Sequence, residues 1–201
     1  MSQAVGFAWP AFRKHYRFFS VVLLTVFAAW IALEIVVIAG QRFGILLWAI
    51  AHFAFLSFFA SVEIGVVQAC LELYDGNDLK IADAFAHWSL GLKFLVGQIF
   101  FLLIVVVGLM LLIVPGVYLG VRYALFGFCM AEAQAETDLR RSFHQSAILS
   151  AGVWTGLFEV LAALLLFNVL GACLLGLGLF ITVPLSALVT TGIYRQLSPH
   201  L

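Results

Sequence analysis

From Phe18 to Gly40 the chain reads FFSVVLLTVFAAWIALEIVVIAG, a run interrupted by a single charge at Glu34. A helix needs about 20 mostly apolar residues to cross the hydrocarbon layer of a bilayer. Comparable runs recur from Gly44 to about Leu71, from Leu95 to Val114 and from Val117 to about Ala135. Two more extend from about Val153 to Leu170 and from Gly176 to Leu197. None shows the period-2 alternation of a barrel strand, and each is about twice the length such a strand needs. The expected architecture is therefore all-α, a single membrane domain over residues 1–201 built as a bundle of six transmembrane helices.

The polar stretches that separate these runs are short. Gln41, Arg42 and Phe43 divide the first two runs, and Leu71 to Asp83 (LELYDGNDLKIAD) is the longest polar stretch. Pro115-Gly116 is a turn signal between the third and fourth runs. Gly171, Gly176 and Gly178 mark a tight reversal before the sixth. The first run follows a basic region, as a secretory leader would. It is longer than a signal peptide's apolar core and turns straight into a second run, so it is expected to remain as a span.

Composition agrees with lipid as the solvent. The chain is 65% hydrophobic and 10% charged, against roughly a quarter charged in an ordinary soluble domain. With 10 Lys+Arg and 10 Asp+Glu, the formal net charge of +0 offers no basic surface to displace counterions from phosphates, which argues against nucleic-acid binding. Cys70, Cys129 and Cys173 form no CxxC pair and read as small buried apolar residues. The five histidines show no metal-ligand spacing, and no Walker, GxSxG or HExxH motif occurs. No enzyme site, metal or cofactor is expected; the expected partners are the lipid bilayer and a membrane protein.

The basic residues orient the bundle. Six spans place Arg13, Lys14, Arg17, Lys80, Lys93, Arg140, Arg141 and Arg195 on one side, and Arg42 alone on the other. By the positive-inside rule both termini face the cytoplasm. Two segments, Ala4–Arg17 and Ile81–Lys93, set aromatic residues beside charged ones and are expected as interfacial helices. Between the fourth and fifth runs, ETDLRRSFHQS is expected as a cytoplasmic helix with Asp138 at its amino end and Phe143 and Ile148 on its apolar side.

Ionisable residues inside spans are rare and are candidates for function. They are Glu34, Glu63, Arg122 and Glu159, with Glu132 near a span end. Helical rise puts Glu34 and Arg122 each about 9 Å below the outer face, so the two are expected to pair. Glu63, Glu132 and Glu159 fall in the other half. They suit either a polar cavity or proton route, or hydrogen-bonded packing between helices; the second is the favoured expectation. Three pairs of small residues at four-residue spacing (Ser61/Gly65, Gly116/Gly120 and Gly152/Gly156) are expected to bring helix backbones close. Pro184 is expected to kink the sixth helix, with Thr182 and Ser186 satisfying freed carbonyls.

Pro115-Gly116 opening a span, Arg122-Tyr123 within it and Glu132 near its end, with Leu139, Arg141 and Ser142 beyond, make a pattern. With Glu63 and Gly65 earlier, and Pro184-Leu185 and Ile193-Tyr194 later, it resembles the YciC-like family of bacterial inner-membrane proteins. That family is related to the membrane domain fused to some glycerophosphodiester phosphodiesterases. The resemblance implies a polytopic helical fold in a bacterial plasma membrane and no catalytic activity, since the soluble phosphodiesterase domain has no counterpart in this sequence. The expected function is non-enzymatic, through lipid contact or association with a partner. The alternative is a small proton-coupled transporter that uses the intramembrane acids. A reporter active only outside the cytoplasm, fused after Leu201, should give no signal; strong activity there would overturn the orientation and the span count together.

Overall fold

In an apolar solvent a backbone amide has only its own chain to bond, so long apolar runs close their hydrogen bonds as helices. The computed structural model describes residues 2–40, 44–85, 88–133, 138–174 and 176–198, and among them no strand occurs. The helices are α1 (Ser2–Ala39), α2 (Gly44–Tyr74), α3 (Trp88–Leu111) and α4 (Ile113–Tyr123). After them come α5 (Phe126–Ala133), α6 (Leu139–Ala151), α7 (Trp154–Cys173) and α8 (Leu179–Leu197), with a short 3-10 helix at Ile81–Phe85. Five segments are long and apolar enough to cross a membrane: Gly6–Ala39, Gly44–Tyr74, Ser89–Leu111, Ile113–Ala133 and Trp154–Cys173. The expected sixth span, α8, is not among them. Its 19 residues include Thr182, Ser186, Thr190, Thr191, Arg195 and Gln196, which dilute its apolar character.

Several boundaries differ from the sequence expectation. The segment expected as an interfacial helix over Ala4–Arg17 is helical and meets the first span at a kink at His15 (φ −114°, ψ 22°), so α1 is two helices joined there rather than at Arg17. The expected helix over Ile81–Lys93 is instead the 3-10 turn and the first turns of α3; Ala86 and His87 lie outside the described residues. Leu112, with extended backbone (φ −164°, ψ 150°), reverses the chain between α3 and α4. Pro115 then sits in the first turn of α4, where a missing N–H costs nothing. The fourth run is two helices, α4 and α5, separated at Ala124–Leu125; Gln134 and Ala135 fall outside the described residues.

The helix expected within ETDLRRSFHQS forms as α6, with Glu136 and Thr137 outside the described residues. Asp138 accepts a hydrogen bond from the backbone N–H of Arg140 at 3.2 Å, capping the helix. Phe143 stacks on Phe126 with centroids 4.8 Å apart and planes 3° from parallel. Ile148, expected on the same apolar side, is exposed. The face that α6 buries carries Ser142, Ser146 and Ser150. Ser146 and Ser150 both donate to the carbonyl of Arg122, at 3.1 and 3.0 Å, so α6 closes the backbone at the α4–α5 break.

Close backbone approach fixes the remaining contacts. A Cβ on Gly65 would lie 2.3 Å from the Ala84 carbonyl oxygen, and one on Gly116 would lie 2.5 Å from the backbone nitrogen of Leu109. Gly152, by contrast, has nothing within 4 Å, so no helix is seated on that member of the third pair. The tight reversal expected at Gly171, Gly176 and Gly178 forms, with Gly171 against Gly178 between α7 and α8, and a closure that spacing does not suggest, Gly192 against Ala4, joins α8 to α1. Cys70 and Cys129 are buried as expected, whereas Cys173 is exposed.

The packed core is uneven along the helices. Between Ile31 and Leu56, Leu33 and Gly40 are the buried positions among the described residues, and between Ile99 and Val114 Gly108 alone is buried. The far ends of the α1–α2 and α3–α4 hairpins thus present bare apolar side chains such as Ile45, Met110 and Val114. Exposed apolar surface on this scale requires lipid or a partner against it.

The α2–α3 seam makes the sharpest test. A Cβ on Gly91 would lie 2.6 Å from the Cα of Ser61 and 1.9 Å from its Oγ. Gly91→Ala should cost about 1–3 kcal/mol, seen as a lower unfolding midpoint in detergent. Gly152→Ala should leave the midpoint unchanged, and equal midpoints for the two variants would count against the tight seam.

Candidate functional site

Two places gather polar chemistry with shape. The first is a lateral crevice between α1, α2 and α8. One part, of about 310 Å³, is walled by apolar residues including Phe19, Val22, Phe59, Val66 and Pro184, with Glu63 on its margin. A second part, of about 740 Å³, is walled by Leu23, Phe27, Trp30, Phe55 and Phe180 among others. Leu23, Val26 and Phe59 line both parts. Volumes of about 300–1,000 Å³ with mainly apolar walls are the usual dimensions of small-molecule pockets.

Glu63 lies on α2 between Ser61 and Gly65, the small residues that let α3 and the 3-10 segment approach. This brings Gln98 of α3 within reach, and its Nε2 donates to Glu63 Oε2 at 2.6 Å. A carboxyl in an apolar wall needs such a partner, because an unpaired one would be costly to bury. Ser186 of α8 lines the same part of the crevice. Asn168 of α7 donates to Ser186 Oγ at 2.8 Å, and Ser186 donates to the Thr182 carbonyl at 2.8 Å. Ser186 thus bonds the carbonyl four residues before it and not that of Phe180, which Pro184 frees, and Thr182 Oγ1 makes no hydrogen bond among the described residues, so neither side chain takes the role expected of it.

The second place is an ionic knot where α2, α5 and α8 end. Arg195 donates through Nη1 to Glu132 and through Nη2 to Asp75, and the Tyr194 hydroxyl donates to Glu132. Gln68 adds a bond from its Nε2 to the Ala131 carbonyl at 3.1 Å. A forked guanidinium that holds two carboxylates on two different elements fixes their relative position. The Lys14–Asp78 pair, 3.6 Å apart and mostly exposed, contributes little.

The five intramembrane candidates thus have different fates. Glu132 joins the knot and Glu63 joins the crevice. Arg122 does not pair with Glu34: among the described residues no ion pair joins them. Arg122 instead donates from Nη1 to the Tyr118 hydroxyl at 3.0 Å and lies 5.8 Å from that ring's centroid. Equal depth does not bring the two together, because α1 packs on α2 and α8 rather than on α4. Glu34 is half-buried on α1, and Glu159 is exposed on α7, away from the other acids' partners.

Gln98, Asp75 and Tyr194 escape a reading by spacing, since each partner lies on a distant element. The signal for Gln98 is Glu63, a charge within an apolar run, and that for Asp75 and Tyr194 is Arg195, a charge close to the end of one. No protein-family model, curated protein or solved structure matches this chain.

The knot generates a graded expectation. Arg195→Gln strands Glu132 and should cost about 2–3 kcal/mol, read as unfolding in detergent. Asp75→Asn, at the exposed arm, should cost less than about 1 kcal/mol. Equal losses for both would show that the two arms carry the same weight.

Proposed function

We propose that the protein is a non-enzymatic multi-pass protein of a bacterial inner membrane that acts through lipid contact. The observation that carries this reading is the crevice between α1, α2 and α8, whose apolar walls match an acyl chain in chemistry and in volume. A pocket of this kind within a membrane bundle meets lipid chains at very high local concentration, so occupancy needs no specific recruitment. The resemblance to the YciC-like family agrees with a polytopic fold and brings no catalytic residues. In this reading both termini lie in the cytoplasm. In support, the start of α1 lies against the end of α8 at Ala4 and Gly192. The bare hairpin ends are surfaces for lipid or for a membrane protein partner.

A proton-coupled transporter is the second reading, favoured by Glu63 at the crevice margin. It requires Glu63 to exchange protons with both sides, whereas its bond to Gln98 and its apolar surroundings suit a structural carboxyl. Mass spectrometry of protein purified in mild detergent should detect retained phospholipid. Val26→Trp, which fills the space shared by the two parts of the crevice, should reduce that lipid several-fold without unfolding the protein. Lipid-free wild-type protein would sink the lipid reading. Proton flux into liposomes that disappears in Glu63→Gln would establish the transporter instead.

A further inference from the structure

The apolar crevice has a polar mouth at one end. Along α1, Phe12, Arg13, Tyr16 and Ser20 line a hollow with Phe180 and Ile181 of α8. Phe180 also lines the larger apolar part of the crevice, so the two spaces meet at that ring. On α1, beyond the kink at His15, residues 16, 20, 24 and 27 succeed one another at three- and four-residue intervals and form one stripe, with Arg13 before the kink lining the same hollow. The order is basic at Arg13, hydroxylated at Tyr16 and Ser20, and apolar at Leu24 and Phe27. Arg17 borders the stripe, donating from Nε to the Tyr16 hydroxyl at 3.2 Å. Lys14 faces elsewhere, toward Asp78.

This order of chemistry is that of a phospholipid: an anionic group, then a hydroxyl-bonding ester region, then a chain. Beyond the kink, Tyr16 to Trp30 spans about 21 Å of helical rise, enough for one acyl chain below a headgroup. Arg13 in the hollow and Arg17 beside Tyr16, on either side of the kink at His15, offer two guanidiniums to a phosphate, which a guanidinium binds better than an ammonium does. No acidic partner is bonded to either guanidinium among the described residues, so both keep their charge for a ligand.

We infer that the α1–α8 groove is a site for one anionic phospholipid, with its phosphate on Arg13 and Arg17 and one acyl chain beside Leu24, Phe27 and Trp30. The site rests on the lipid-contact reading and adds to it a headgroup selectivity. Charge complementarity selects the anionic headgroup over a zwitterionic one, since two fixed cations at an interface attract net negative charge.

The test uses the full-length protein in nanodiscs of zwitterionic phospholipid that carry a minor fraction of brominated lipid. Bromine on an acyl chain quenches nearby tryptophan, and the difference between wild type and Trp30→Phe isolates the signal of Trp30. Brominated phosphatidylglycerol should quench Trp30 well beyond its share of the bilayer, while brominated phosphatidylcholine should quench in proportion to its share. Arg13→Gln and Arg17→Gln should each lower that excess about five-fold, which corresponds to roughly 1 kcal/mol per basic residue. Lys14→Gln should leave it unchanged, and quenching by the zwitterionic lipid should persist in all three variants, reporting an intact crevice. Proportional quenching by both lipids would overturn the anionic site and leave the lipid-contact reading standing. Absence of quenching by either would overturn both. An equal loss of excess in Lys14→Gln would reduce the effect to the general charge of the interface and refute a defined site.

Discussion

Between helices in lipid there is no hydrophobic drive, because a leucine is as well solvated by acyl chains as by another leucine. What holds this chain together is backbone contact permitted by small residues. Ser61 and Gly65 on α2 are the centre of that arrangement: one receives Gly91 of α3 and the other receives the Ala84 backbone. Several neighbouring features depend on this seam. It brings Gln98 to Glu63, turns the 3-10 segment against α2, and leaves the opposite face of α2 to help line the crevice. Larger side chains at these positions would separate the helices and remove the crevice wall along with them.

The packing is concentrated at one end of the molecule, the end that carries the ionic knot. There, buried residues run almost continuously from Phe126 to Ala131 and from Thr191 to Tyr194. At the other end the α1–α2 and α3–α4 hairpins show their apolar side chains to the surroundings. The knot suits this division. Arg195 joins Glu132 and Asp75, whose carboxylates are partly exposed so that the charges are not fully desolvated, and it ties together three elements that share little sequence proximity.

Fold class was legible in the sequence because run length and composition report the solvent directly. The existence of α6 and its Asp138 cap was legible for the same kind of reason, since capping is a local rule. Boundaries were less so. Pro115-Gly116 reads as a turn, yet proline in a first helical turn needs no donor, and Leu112 makes the reversal instead. The break between α4 and α5 leaves no mark in composition, because Ala124 and Leu125 are as apolar as their neighbours. For the site, depth alone matched Glu34 with Arg122, but a shared depth does not imply shared neighbours. Which helices touch depends on close approach at Gly91, Gly171 and Gly192, and spacing rules that look within one helix cannot see a contact between two.

The carbonyl of Arg122 has a further consequence for synthesis. The hydroxyls that donate to it, those of Ser146 and Ser150, belong to a segment that leaves the ribosome after α4 and α5. Until those serines arrive, the break in the fourth segment has an oxygen that lipid cannot solvate. The α4–α5 break is completed only when α6 packs against it and brings these two serines to that oxygen. The order in which the chain is made thus prescribes the order in which this part of the fold can mature.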